Sequence, residues 1–484
     1  MVDLAFEPAH VLARKLRRRE ITAEALMRLY LDRIARFNPK LNAIVVLDAD
    51  KAQEHAREAD RELARGEVKG PLHGLPTTVK ESFDVAGWKT TWGNPAWRDN
   101  VAATDSAVVE RLRRAGAIVL GKTNVPLLLG DFQSTNEIYG TTNNPWNVER
   151  VPGGSSGGSS AALAAGLTGL EAGSDIGGSL RNPAHYTGTY AHKPSYGIVP
   201  TRGQMPPGIV GPGDLSVVGP MGRSAEDLDL ALGLIAGADG AEATAWRLDL
   251  PAPSADGFKG LRVAVWGDDP RSPVDAAVGD LLQSAVEAIA KAGAVVDDKA
   301  RPDFDIELAH TTYLRLLRGT TAARQPKDVF EGYLKKLPTL ADDDRGYYAT
   351  VIRGATLYHR DWIGWNETRA KLRRSWAKFF ESWDVLIAPV APTTAFPHTA
   401  EPDRDKRSLP INGRPVAYSS QLFWAGLPIM PYLPATAAPM GLAKDGLPAG
   451  LQFIGAFGRD RTTIAAAKWL EKLIGGFIQP PGWA

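Results

Sequence analysis

The chain has 484 residues, with 56 Lys and Arg against 55 Asp and Glu and a formal net charge of +1 at pH 7. So even a balance gives no electrostatic reason to expect nucleic acid or an anionic membrane as a partner. With no cysteines, disulfides are excluded, and with no apolar run of bilayer length and no apolar signal segment at the N-terminus, the cytoplasm is the expected compartment.

Length alone admits two or three domains, yet 49 glycines and 35 prolines scattered among apolar runs also suit one large α/β body. The basic run 14–19 reads as the solvated face of a short helix. Residues 23–37 put Leu26, Leu29, Tyr30, Ile34 and Phe37 on one helical face, with Thr22 as N-cap. Thr77-Thr78-Val79 reads as a short strand, opened by Pro76 and ending at Lys80. Residues 108–115, Gly116 and the apolar run 117–120 read as helix, turn and buried strand. The same plan recurs at 281–292, Gly293 and 294–296. Residues 143–152 read as loop. Further strands are expected at 262–266, 385–388, 429–433 and 451–454. Residues 306–383 carry long helical patterns rich in Tyr, Trp and Arg, and predict a helical insertion capping the site. The Pro-rich stretch 389–415 predicts a surface loop near the entrance. Helices alternating with apolar strands predict a largely parallel sheet covered on both faces.

Two serine-rich loops carry the chemistry: Gly153-Gly154-Ser155-Ser156-Gly157-Gly158 and Asp175-Ile176-Gly177-Gly178-Ser179-Leu180-Arg181. Acyl transfer needs an exposed hydroxyl, a base, and donors aimed at the developing oxyanion. Ser179 is the expected nucleophile. The N–H groups of Ile176, Gly177 and Gly178 are the expected donors, since two glycines leave the backbone open to close approach. None of the eight histidines lies in either loop, which makes Lys80 the base to consider. A solvated lysine titrates near about 10.4, so desolvation has to lower it by a few units. Asp175 and Arg181 read as an ion pair that holds the loop.

Lys80, the run 153–158 and Asp175-Ile176-Gly177-Gly178-Ser179-Leu180-Arg181-Asn182-Pro183-Ala184 resemble the amidase signature family of serine hydrolases. The resemblance runs from about 72 to 201. Flanking motifs extend it, among them Gly121-Lys122-Thr123-Asn124-Val125-Pro126, His192-Lys193-Pro194-Ser195-Tyr196-Gly197 and Leu447-Pro448-Ala449-Gly450-Leu451-Gln452. It implies a Ser-cis-Ser-Lys triad: Ser179 attacks, Lys80 is the ultimate base, and Ser155, joined to Gly154 by a cis peptide bond, relays the proton. It further implies that Ser156 steadies the base and that the Leu129 carbonyl lines the acyl site. The implied fold is one domain over 1–484: a large twisted mixed sheet between helical layers, with a signature core at about 72–201 and a cap at about 306–383. The implied activity is cleavage of an amide C–N bond through a seryl acyl-enzyme, without metal or cofactor.

Apolar neighbours (Leu127, Leu128, Leu129, Phe132, Phe423 and Trp424) favour a hydrophobic or aryl acyl group. Esters, anilides and carbamates (urethanes) fit the same chemistry. The alternative within the family is the amidase subunit of a tRNA-dependent amidotransferase. The chain departs from that pattern, with Ile176 where threonine is expected and Asn124-Val125-Pro126-Leu127 where an Asp-Glu-Phe run is expected. The expectation is therefore a free-standing enzyme, monomer or homodimer, taking a small-molecule amide, ester or carbamate, with no nucleic acid and no membrane.

Four rival readings fare less well. Gly153-Gly154-Ser155-Ser156-Gly157 matches the nucleophile elbow G-x-S-x-G, yet it follows a loop where an elbow follows a buried strand. No lysine completes a phosphate-binding G-x-x-x-x-G-K-[ST], and no H-E-x-x-H or cysteine set suggests a metal. A catalytically dead scaffold relative is disfavoured by the presence of Lys80, Ser155 and Ser179 together.

Overall fold

The computed structural model describes residues 3–253, 255–322 and 325–483. Its first long helix shows how local signals become packing. Thr22 Oγ1 accepts the Ala25 N–H at 3.1 Å and opens Ala23–Leu41. Leu26, Met27, Tyr30, Ile34 and Phe37 are buried along one face. The helix stops at Asn42, whose φ of 52° is left-handed.

An 11-stranded sheet runs through the molecule in the order Ile44–Leu47, Ile118–Thr123, Pro76–Lys80, Glu171–Asp175, Val217–Gly222, Tyr190–Lys193, Ala435–Leu442, Pro448–Ile454, Val385–Pro389, Arg262–Val265 and Val295–Asp297. Helices cover both of its faces. The sheet is the large mixed one that the resemblance implied, not the largely parallel one suggested by the alternation of helices and strands. Pairing is parallel from Ile118–Thr123 to Glu171–Asp175 and from Val385–Pro389 to Val295–Asp297, while the middle strands from Glu171–Asp175 to Val385–Pro389 and the edge strand Ile44–Leu47 pair antiparallel. The hairpin from Ala435–Leu442 to Pro448–Ile454 leaves too short a connection for a parallel crossover.

Two local expectations also change. The apolar run 429–433 is not a strand: Ile429 ends the helix Gln421–Ile429, and the strand starts at Ala435. A short apolar run fits a buried helix end as well as a strand, so periodicity cannot separate them. The stretch 389–415 is only partly a surface loop. Val390, Ala391, Ala395 and Phe396 are buried, and Ser408–Ile411 pairs with Arg414–Ala417 as a hairpin. Ala391, Ala395 and Phe396 pack with Val151, Tyr186, Tyr418 and Leu447, and that apolar contact outweighs the proline content.

Two features of this frame position the functional residues. The parallel neighbours Pro76–Lys80 and Glu171–Asp175 pair Thr78 with Glu171 and Val79 with Ala172, which brings Lys80 and Ser174 together at their C-terminal ends. The helix Gly157–Ala164, every residue of it buried, follows directly on Ser155 and Ser156. The serine-rich run is therefore core. The helix Ile306–Ala322 reaches the loop after Glu171–Asp175 through Tyr313 and packs against Tyr347–Ala355 and His359–Ser382, and Lys327–Lys336 packs on Tyr347–Ala355.

Candidate active site

Lys80 is fully buried, and its Nζ donates to Ser155 Oγ at 2.7 Å and to Ser174 Oγ at 3.0 Å. Gln204 Nε2 donates to the same Ser174 Oγ at 3.0 Å and to Ser82 Oγ at 3.2 Å. The Gly154–Ser155 peptide is cis, as the resemblance implied. Gly154 has to be glycine, because a Cβ there would stand 2.2 Å from the Asp131 carbonyl oxygen. The two serine loops are stitched together where Ser156 N–H donates to the Ser179 carbonyl at 3.2 Å. Ser156 Oγ donates to the Ser174 carbonyl at the long distance of 3.5 Å. Ser179 is buried with a residual exposure of 7%.

Asp175 and Arg181 organise the loop between them. Arg181 Nε and Nη2 each lie 3.1 Å from the carboxylate, and both side chains are buried. The carboxylate also accepts from Gly178 N–H at 2.8 Å and Leu180 N–H at 3.0 Å. Burial alone would raise the Asp175 carboxyl, but the Arg181 guanidinium and these donors hold it below the usual carboxylate value. Arg181 further donates to Gln452 Oε1 at 2.7 Å and to the Ala425 carbonyl, anchoring the loop to the sheet and to the helix Gln421–Ile429.

These bonds divide the three expected oxyanion donors. Gly178 N–H is spent on Asp175, whereas Ile176 and Gly177 N–H donate to no acceptor among the described residues. Gly178 holds a φ of +95°, a conformation that favours glycine.

The expected substrate contacts separate into two groups. Leu127–Leu129 forms a 3-10 turn with Leu127 at 47% exposure, and Leu128 N–H donates to the Trp92 carbonyl at 2.8 Å. Phe132 and Ile176 both pack against the cluster of Tyr313, Leu422 and Ala425. Phe423 and Trp424, by contrast, face the core. Phe423 meets Trp266 and His310 edge-on, and Trp424 Nε1 donates to the Ser272 carbonyl at 2.9 Å. Consecutive helical residues point about 100° apart, and it is Leu422 and Ala425 that turn towards Gly177 and Gly178.

Sequence reasoning missed Ser174, Gln204 and Tyr313. Ser174 was within reach, since it sits on the strand that leads into Asp175. Gln204 and Tyr313 carry no local signal, because their partners lie far along the chain. Among the described residues no group of His, Cys, Asp or Glu is placed to hold a metal ion, and no helix is long and apolar enough to cross a membrane.

A model of the Amidase family matches residues 25–464. The chain belongs to the amidase signature family. It is thus an enzyme of the class that hydrolyses carbon–nitrogen bonds other than peptide bonds. A glutamyl-tRNA(Gln) amidotransferase subunit of Thermosynechococcus vestitus is 33% identical, over 97% of this chain and 98% of its own length. A bacterial aryl acylamidase of the amidase signature family superposes with a TM-score of 0.81 at 26% identity, covering 97% of this chain and 96% of that one. The corresponding glutamyl-tRNA(Gln) amidotransferase subunit of Thermotoga maritima superposes with a TM-score of 0.78 at 25% identity, covering 99% of each. These relatives correct the expectation of a free-standing monomer or homodimer that meets only small molecules and no nucleic acid. The amidase signature proteins it matches include one subunit of an assembly whose name carries a tRNA, the alternative that the sequence reading had set behind a free-standing enzyme.

Proposed function

We propose that this chain is the amide-hydrolysing subunit of a tRNA-dependent amidotransferase and cleaves its amide through a Ser179 acyl-enzyme. The observation that carries the chemistry is the buried Lys80 Nζ lying 2.7 Å from Ser155 Oγ. The subunit role is supported by relatives of that name matching end to end at 33% identity. In this reading, uncharged Lys80 takes the Ser155 proton while Ser155 takes the Ser179 proton. Ser179 Oγ bonds to the amide carbon, and Ile176 and Gly177 N–H receive the oxyanion. The C–N bond then breaks as the proton returns through Ser155 to the leaving nitrogen. Water repeats the sequence on the ester and releases the acid. Ser156, Asp175 and Arg181 hold this geometry, and the whole chain acts as one amidase unit capped by 306–383.

A second reading has a specific observation in its favour: Ile176 joins Phe132, Leu422 and Tyr313 in an apolar wall beside the loop. That wall suits a hydrophobic or aryl amide, with esters and carbamates as further substrates. One experiment separates the readings. The purified chain, with and without glutamyl-tRNA(Gln), is given glutamine or p-nitroacetanilide, with Ser179→Ala as control. Ammonia release from glutamine that Ser179→Ala abolishes supports the subunit reading. Turnover of the anilide alone supports the second. If a fluorophosphonate fails to label folded wild type, both are lost, and a binding or scaffold role replaces them.

A further inference from the structure

We infer that Tyr313, on the cap helix Ile306–Ala322, is a positioning residue that aims and strengthens the Gly177 N–H as an oxyanion donor. The inference rests on the Ser179 reading above. The Tyr313 hydroxyl donates to the Ile176 carbonyl oxygen at 3.1 Å. That carbonyl belongs to the same peptide plane as the Gly177 N–H, and in a trans peptide the two groups point in opposite directions. Holding the oxygen towards the cap therefore turns the N–H away from it. A hydrogen bond accepted by the carbonyl also polarises the amide and makes its N–H a better donor.

The rest of the loop leaves this donor unusually important. Gly178 N–H is committed to Asp175, while Gly177 N–H has no acceptor among the described residues. Asp175 and Arg181 fix the loop from the Gly178 side. On the Ile176 side it is the cap that holds the carbonyl.

The ring is seated for this task. Tyr313 is 1% exposed and packed among Leu316, Leu317, Leu422, Ala425 and Ile429. It passes so close to Gly426 that a Cβ there would stand 2.5 Å from Tyr313 Cδ1. Only glycine lets helix and ring approach so closely. Burial raises the phenol well above its ordinary value, so the hydroxyl keeps its proton and remains a donor.

A fluorophosphonate tests the inference without a known substrate. Ser179 Oγ bonds to phosphorus, fluoride leaves, the serine proton passes to Lys80 by way of Ser155, and the phosphoryl oxygen takes the oxyanion position. Tyr313→Phe keeps the ring and removes the donor. Its maximal phosphonylation rate is expected to fall roughly tenfold, less than the hundredfold or more for deleting an oxyanion donor outright, with KI within about twofold of wild type. Gly426→Ala, which keeps the phenol but pushes the ring and its hydroxyl off the Ile176 carbonyl, should fall in the same way. A thermal midpoint for each variant confirms folding, and a general packing defect would move KI as well as the maximal rate. Folded Tyr313→Phe labelled at the wild-type maximal rate overturns the inference and leaves Ser179 as nucleophile untouched. Wild type that acquires no Ser179 adduct overturns the Ser179 reading first, and this inference with it.

Discussion

Lys80 Nζ and Ser155 Oγ lie 2.7 Å apart with almost no solvent access to either. A lysine placed on a hydroxyl in the interior has two states to choose between. In the proposed mechanism it is the uncharged state that accepts a proton from Ser155.

The first prediction follows from that choice. Lys80→Met should lower kcat/KM for any cleaved amide by about 10²–10⁴-fold, the usual contribution of a general base. Lys80→Arg should not rescue it, since a guanidinium keeps its charge at working pH. Steady-state kinetics on both variants check this, and wild-type activity in either would remove Lys80 from the mechanism.

Gly154→Ala should be damaging. The added methyl would meet the Asp131 carbonyl at 2.2 Å, and backbone has little room to give. A loss of about 1–3 kcal/mol in denaturant unfolding is expected from overpacking, together with slower fluorophosphonate labelling because Ser155 is displaced.

Arg181→Ala leaves Asp175 ionised and buried without its cation. Breaking such a pair costs about 3–5 kcal/mol, read from urea unfolding. Because the folded Asp175 carboxyl is held below its value of 3.8 in the unfolded chain, its contribution is complete above that pH and is lost as pH falls through the lower folded value. The wild type should therefore lose this part of its stability only in strong acid.

His310 works in a milder range. Burial lowers it from 6.5 to about 4, against the ring of Phe423 and with Glu307, Asp269 and Arg271 nearby. Between those pH values the unfolded chain binds the proton and the folded chain does not, so stability falls as pH drops from 6.5 towards 4. His310→Phe should remove on the order of 2 kcal/mol of that dependence. Unfolding curves of variant and wild type at about pH 7 and about pH 5 compare the slopes, and an unchanged slope would refute the assignment.

Local chemistry was legible where it rests on neighbours in the chain. Thr22 as a cap and the Asp175–Arg181 pair depend on residues close together in the chain, whereas the cis bond before Ser155 was implied only by the family resemblance. Phe423 and Trp424 were misassigned because proximity along a helix does not say which face turns to the site. The run 429–433 was misassigned because an apolar stretch of that length has no period to read.

From its sequence alone the protein declares its family and reaction class, because Lys80 followed by two Gly/Ser-rich loops at 153–158 and 175–181 carries the amidase signature resemblance. Only the tertiary structure decided that Gly178 N–H is spent on Asp175, that Ser174 and Gln204 meet beside Lys80, and that Tyr313 reaches the Ile176 carbonyl. Each of those contacts depends on a backbone direction or on residues brought together from distant parts of the chain. A hydrogen bond of about 3 Å is set by packing that no local pattern encodes.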